Sequence, residues 1–361
     1  MIKILMEGIT NNKGGKETYI INIFNALDKA KYNIDFVVYD DNVPYEEYLK
    51  GQGANVYHLI PRHKSLFQHR RAIDDLFKNN SYDVVWAHKT TLSACEILML
   101  AKKNRVPVRI VHSHSSENMG SKFTYVMHNL NKIFLNNWSN VYLACSENSA
   151  KWFYGSRKAT IMTNGIELEK FKFNQSVRDK IRKQLNLKDY FVVGHIGRFS
   201  PEKNHKKLID IFKEIKKLNP NVKLILCGDG EMRHEIEVQI ERLRLKNDVM
   251  LLGIIDNVNE ILQAVDVVIM PSLFEGQPFA LLEAQAAGLK CVVSDTVSKE
   301  SDVIRWNEFI PLNKSNIEWA EIICNLDYNY DRSAGYRIMK KAGFDIRSCV
   351  KKLNQLLGRY L

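Results

Sequence analysis

Two glutamates eight positions apart, Glu275 and Glu283, bracket the run Glu-Gly-Gln-Pro-Phe-Ala-Leu-Leu-Glu. A carboxylate accepts two hydrogen bonds from a vicinal diol, so each could hold one pair of hydroxyls. Between them Gly276 lets backbone come close to a ligand, Gln277 follows, and Pro278 fixes the chain just before a helical pattern that begins near Phe279. The first N–H groups of that helix, through Ala280 and Leu281, have no intrahelical acceptor, and such an end binds phosphate. The implied ligand carries sugar, phosphate and ribose. An ordinary strand-to-helix turn, with Glu275 solvated and Glu283 tolerated among Ala284, Ala286 and Ala287, is the plainer alternative.

Two cations leave another strand end in Gly197-Arg198-Phe-Ser-Pro201-Glu-Lys203-Asn204-His205. Arg198 forks across two oxygens and Lys203 supplies a point charge, so both could converge on phosphates at the helix near Phe279. Gly14-Gly15 opens a helix after the first strand, at the edge where parallel sheets bind ligands. A dinucleotide site competes there, but G-x-G-x-x-G is absent, and a plain turn also accounts for two glycines. Glu17 suits the dipole of that helix and needs no other role. The strand Val108-Arg-Ile-Val-His112-Ser-His114 ends in two histidines that share a face by pleating. A metal would want further ligands, and none stands at suitable spacing. No D-x-D follows an apolar strand either, so neither a metal nor a cofactor is expected. Gly228, in Cys-Gly-Asp-Gly-Glu, and Gly253 end two further strands, where backbone could line a nucleobase or simply turn.

These residues need strand ends and helix starts to hold them. Short β-branched runs alternate with helical patterns throughout, which predicts α/β layers and parallel sheets. One series has strands at 2–6, 34–39, 55–60, 83–88, 108–112 and 141–145; a second has them at 190–197, 223–228, 249–253, 266–270 and 290–294. The linker falls at about 165–174, giving domains 1–171 and 172–344, with a last helix over 345–361.

The 361 residues, 45% hydrophobic, suffice for two cores. The six cysteines show no C-x-x-C pair and read as buried thiols in a reducing cytosol. No signal peptide precedes the first strand, and no apolar run approaches the ~18 residues of a membrane span. A net charge of +11 calls for an acidic partner. Residues 1–172 hold 23 Lys and Arg against 16 Asp and Glu, and the rest hold 29 against 25, so the basic bias leans N-terminal. No nucleic-acid motif accompanies it. Two regions could touch lipid: 62–71, where cations surround Leu66 and Phe67, and 123–138, with Val126, Met127, Leu130, Ile133 and Phe134 at helical spacing. One helix packed on a sheet and one solvated loop would look the same.

The E-x7-E run, the G-R-x-S-x-E-K-N run, Gly14-Gly15 and His114 occur in an order that resembles the retaining glycosyltransferases of family four. That resemblance implies the GT-B fold, two Rossmann-like domains facing across a cleft, with the last helix crossing back onto the first. It implies transfer of a sugar from a nucleotide diphosphate donor, a UDP-sugar by preference, to a glycan or lipid-diphosphate-linked acceptor in bacterial surface polysaccharide synthesis. Such an enzyme would be cytoplasmic or peripheral at the inner membrane face. Carried over residue by residue, Gly14 and Gly15 lie against the donor phosphate, and His114, with His112 as second choice, faces the sugar. Glu275 holds the sugar hydroxyls, Glu283 the ribose, and Arg198 and Lys203 the diphosphate. Lys16 departs from a small residue and Thr163 from a proline, both on the acceptor side. A nucleotide-sugar 2-epimerase, which lacks the E-x7-E run, and a non-catalytic nucleotide-sugar sensor are the competing readings.

Overall fold

A computed structural model describes residues 1–12, 14–118 and 120–361. The chain divides into two compact units, residues 1–165 with 346–361, and residues 166–345. Each is a parallel sheet with helices on both faces, the arrangement that near-continuous Val, Ile and Leu runs produce because both sides of the strand are covered.

The first sheet runs β3-β2-β1-β4-β5-β6-β7, with β1 (Ile2–Glu7), β2 (Tyr32–Val38), β3 (Val56–His58), β4 (Val84–Lys89), β5 (Val108–Ser113), β6 (Val141–Ala144) and β7 (Thr160–Ile161). Register places Ile4 beside Ile34 on one side and Val84 on the other, and His88 beside His112. Leu5, Val37, Val85 and Val111 are buried against Ile73, Phe77, Leu98 and Phe153. Strand order reverses between β1 and β4, and such a switch point opens a crevice at the carboxyl ends.

The second sheet runs β10-β9-β8-β11-β12-β13, from β8 (Phe191–Ile196), β9 (Val222–Cys227), β10 (Val249–Gly253), β11 (Val267–Met270), β12 (Lys290–Ser294) and β13 (Glu308–Ile310). Its switch point lies between β8 and β11, which pair through Val193–Val267 and Gly194–Val268. Val193, Leu224 and Val267 face Phe212 and Trp319, while Val192, Val268 and Met270 face Leu262, Leu281 and Ala284. Both faces of the strands are therefore dry.

The division falls after Gly165, six residues earlier than the expected boundary at 171. Ile166 bridges Asp345 and its N–H donates to the Phe344 carbonyl at 2.9 Å, which ties residues 166–171 to the second unit. The last helix, Ile346–Leu357, packs on Gly15–Ala26 in the first unit, and the Tyr32 hydroxyl donates to the Asn354 side chain. Five cysteines are buried; Cys324 is exposed, contrary to its reading as a buried thiol, because its helix Asn316–Asn325 turns that position outward. Among the described residues no helix is long and apolar enough to cross a membrane.

Candidate active site

In the second unit the loop from Pro271 to Pro278 leaves β11 and is stitched on both sides. From the β8 side, the Leu273 N–H donates to the Glu202 carbonyl at 2.8 Å and the Asn204 amide to the Pro271 carbonyl at 3.0 Å. From the β12 side, the Ser294 and Thr296 hydroxyls both donate to the Ser272 carbonyl, at 2.6 and 2.7 Å, and the Ser298 N–H donates to the Glu275 carbonyl. Asn204 reaches Pro271 from left-handed backbone, φ 54°, where the 3₁₀ turn Pro201–Lys203 meets the helix His205–Leu218. The result is a rigid seat at the carboxyl edge.

Across that seam the Lys203 ammonium donates to the Glu275 carboxylate, each side chain 15% exposed. The two residues singled out for phosphate and sugar are thus in contact with one another, an ion pair sheltered enough that its charges are poorly screened. Arg198 does not join them through its own pairing: its guanidinium donates to the Glu231 carboxylate at 2.9 Å on the exposed surface. Lys203 is thus engaged by the loop after β11, and Arg198 by the turn after β9.

Helix Phe279–Ala286 is buried at Phe279, Leu281, Leu282, Ala284, Gln285 and Ala286, leaving Ala280 and Glu283 as the partly open positions of one face. The helix has no side-chain cap on Pro278, and the Leu281 N–H, expected to be open, already donates to the Pro278 carbonyl at 3.1 Å, which leaves the N–H groups of Phe279 and Ala280 as the available ones. The Glu283 carboxyl takes no hydrogen bond or ion pair among the described residues, and burial pushes its pKa up to about 7. A half-buried acid without a partner is costly, and a ligand that bonds it relieves that cost. A Cβ on Gly276 would meet nothing within 4 Å, so the protein itself does not require glycine there.

Gly228 differs in kind. Its φ is +141° and a Cβ would lie 1.9 Å from the Gly197 carbonyl oxygen; at Gly230 a Cβ would lie 2.5 Å from that of Phe199. These glycines let the turn after β9 dock on the loop after β8, with Gly228 N–H donating to the Gly253 carbonyl at 2.8 Å. Gly253, φ +67°, is a turn glycine. Both have structural reasons for being glycine. A groove of about 570 Å³ between helices His205–Leu218 and Arg233–Arg242, lined by Ser200, Met232 and Gln239, holds none of Lys203, Glu275 or Glu283.

In the first unit Gly14 precedes helix Gly15–Ala26 in extended backbone, and a Cβ on Gly15 would again meet nothing. Glu17 has a role beyond the helix dipole: it is buried, accepts from the Thr10 hydroxyl at 2.7 Å and pairs with Lys16 at 3.3 Å, fixing the loop. His114 does not stand alone with His112. His88, at the end of β4, brings its Nδ1 within 3.0 Å of His114 Nε2, and Tyr19 lies against all three rings. Burial drives His112 down to about 3 and holds His88 and His114 well below the usual histidine range, so all three are neutral at pH 7.

The missed third histidine completes a set whose nitrogens lie within 4.8 Å of one another. The pairwise ring planes, however, are within 34–37° of parallel, with His112 and His114 centroids 4.3 Å apart. Imidazole lone pairs lie in the ring plane, and layered rings do not aim them at one point. His88 could have been found from sequence, since Trp-Ala-His-Lys ends one strand as His112-Ser-His114 ends another; what was missing was that β4 and β5 are neighbours.

Comparison with known proteins places this geometry in a family. Residues 13–170 match the model of Glycosyltransferase Family 4 and residues 177–326 that of Glycosyl transferases group 1. EpsF of Bacillus subtilis, assigned as a glycosyltransferase, is 30% identical over 327 residues, covering 86% of this chain and 84% of that protein. An Escherichia coli UDP-Gal:alpha-D-GlcNAc-diphosphoundecaprenol alpha-1,3-galactosyltransferase is 28% identical over 297 residues, 78% of this chain and 76% of that one. In fold, the chain matches HepE of Anabaena, solved with UDP, at a TM-score of 0.81 and 21% identity over 99% of this chain and 100% of that one. With the two strand-end sites in each sheet's crevice and that identity over most of its length, the chain belongs to the family 4 glycosyltransferases of GT-B fold.

Proposed function

We propose that this glycosyltransferase moves a sugar from a UDP-sugar to a hydroxyl of a lipid-diphosphate-linked glycan, with retention at the anomeric carbon and without a divalent metal. The observation that carries the donor side is Glu283, an unpartnered, half-buried carboxyl one turn inside a helix whose N-terminus is uncapped. A ribose diol would satisfy it while the leading N–H groups and Lys203 take the diphosphate. Glu275, released from or shared with Lys203, holds hydroxyls of the transferred sugar, Arg198 adds charge at the diphosphate, and Gly14, Gly15 and neutral His114 serve phosphate and sugar from the first unit. In the reaction the acceptor oxygen bonds to the anomeric carbon as the bond to the diphosphate breaks. The developing negative charge leaves on the diphosphate, whose departing oxygen takes up the proton lost by the acceptor hydroxyl. UDP stands in the name of the E. coli relative and in that of HepE's complex, and a lipid-diphosphate-linked sugar in the former; both support this choice.

The test is a pair of substitutions read separately on binding and turnover. Glu283→Ala weakens UDP binding about ten- to a hundredfold, since a charge-assisted bond is worth roughly 1.5–3 kcal/mol. Glu275→Ala spares UDP binding and loses transfer. Unchanged UDP affinity in the first, or equal losses of both in the second, removes the assignment. Turnover should persist in chelator; loss restored by manganese or magnesium would return the charge to a metal. The anomeric configuration of the product, read by NMR, decides retention.

A further inference from the structure

We propose that the outer face of helix Lys122–Trp138 is a membrane-insertion surface that seats the first unit on an anionic lipid bilayer. The helix is held to its unit by a narrow stripe. His128 and Leu135 are its buried residues, His128 Nδ1 accepts from the Leu92 N–H at 3.1 Å, Asn131 donates to the Leu92 carbonyl at 2.6 Å, and Lys132 donates to the Trp152 carbonyl at 2.6 Å. The opposite side is open and apolar: Phe123 is 71% and Ile133 66% exposed, with Val126, Leu130 and Phe134 exposed between them. At ~100° per residue these five fall within an arc of about 100°, a continuous stripe turned to solvent. Scattered apolar residues on a surface are ordinary; a contiguous stripe calls for a covering partner.

Charge selects the partner. Divided by structure rather than by position in sequence, the first unit holds 25 Lys and Arg against 14 Asp and Glu, and the second 27 against 27. The whole +11 belongs to the unit that bears the stripe. The helix itself contains Lys122 and Lys132 and no acid. At its margins exposed Lys151 and Lys122 meet no carboxylate among the described residues, and Arg157 donates to Asn136 on the helix's polar side at 2.7 Å. An apolar stripe with unneutralised cations beside it matches acyl chains beneath anionic headgroups.

Position supports the same occupant. Helices Leu66–Asn79 and Lys122–Trp138 follow β3 and β5 of one parallel sheet, so both begin at its carboxyl edge, where His114 also stands. Phe67, 74% exposed, and Phe123 lie in those first turns. The cations near Leu66 contribute less than their number suggests, because Arg62 and Arg70 pair with Glu96 and Arg71 with Asp75. Seated this way, a lipid's head would reach the edge that carries the histidines, so the surface deepens the reading of a lipid-borne acceptor and rests on it for its purpose.

Flotation of the full chain with vesicles of phosphatidylglycerol and phosphatidylcholine, against phosphatidylcholine alone, tests the surface. The wild type should float with the anionic vesicles at low salt and dissociate as salt rises. Ile133→Glu with Phe134→Ser should lower partitioning by about tenfold or more, as expected for apolar side chains withdrawn from the interface. Lys122→Gln with Lys151→Gln should weaken it and reduce its salt dependence, while Ile133→Leu keeps it. Melting temperature and UDP affinity should stay at wild-type values in every variant, which separates a lost surface from a lost fold. Equal flotation of wild type and Ile133→Glu/Phe134→Ser overturns the proposal, as does a wild-type dimer in sedimentation that this variant dissolves. If flotation behaves as stated but a lipid-diphosphate glycan is not glycosylated, the acceptor reading fails and the surface stands.

Discussion

Glu283 and the histidine trio are both buried titratable groups, and they answer pH in opposite directions. Burial raises Glu283 to about 7, so in the unliganded fold the carboxyl is neutral below that pH and must hold a charge out of water above it. Stability is therefore present at low pH and lost as pH rises through about 7. Glu283→Gln should stabilise the unliganded fold above pH ~7 by an amount on the order of 1–2 kcal/mol, read as a higher melting temperature, and leave it unchanged below about pH 4, where the carboxyl is neutral folded and unfolded alike. The same substitution should weaken UDP binding, and wild-type affinity should tighten between about pH 6 and 8 as the carboxylate forms. Calorimetry across that range checks both, and a variant that is neither more stable nor weaker-binding at alkaline pH contradicts the role. The histidines are neutral when folded and protonate below about 6.5 when unfolded, so their contribution is lost as pH falls from there.

At the scale of elements, two kinds of glycine occupy the loops at the sheet edge, and substitution should tell them apart. Gly228 sits at φ +141° against the Gly197 carbonyl, so Gly228→Ala forces apart the loops after β8 and β9 and should cost about 3 kcal/mol or more. Gly276 faces open space at ordinary φ, so Gly276→Ala should leave thermal stability within about 0.5 kcal/mol of wild type. If backbone there approaches the donor, that same alanine weakens UDP binding. Thermal melts and UDP titrations of the two variants should thus show crossed losses. A Gly276→Ala protein that binds UDP normally would mean that the space stays empty in the complex. The loop from Pro271 to Pro278 earns its rigidity from hydrogen bonds on both flanks, which is what a site on a loop needs to hold groups in place.

The whole molecule is two dry cores with one thiol left outside them. Cys95, Cys145, Cys227, Cys291 and Cys349 are buried, and burial pushes Cys95 and Cys227 up to about 12, so native protein should show a single fast-reacting thiol with an aromatic disulfide reagent. Cys324→Ser should abolish that phase, and all six should react in denaturant. More than one fast thiol in the native protein would show that a core opens readily. The net charge obeys the same partition. The second unit is balanced, and the first carries all of the excess because the four cations of residues 346–361, with no acid among them, belong to it.

Local pattern in the sequence was enough for the layers and for the places along the chain where the candidate site residues stand. Alternating apolar runs and helical periods dictate parallel sheets, and a strand, loop and helix start are contiguous in the chain, so Gly14-Gly15, the Arg198–Lys203 run and the Glu275–Glu283 run could each be put at a carboxyl edge from local pattern alone. What those stations do to one another was decided by tertiary structure. Lys203 holds Glu275 because β8 lies beside β11, and His88 joins His114 because β4 lies beside β5. Strand order and register are long-range properties that no local period encodes. Arg198 turned to Glu231 for the same reason, through a loop contact that only glycine geometry permits. The apolar stripe of 123–134 was visible as a period, but a period gives a face without saying which way it points. Only the packing of His128 and Leu135 inward left that stripe to the solvent.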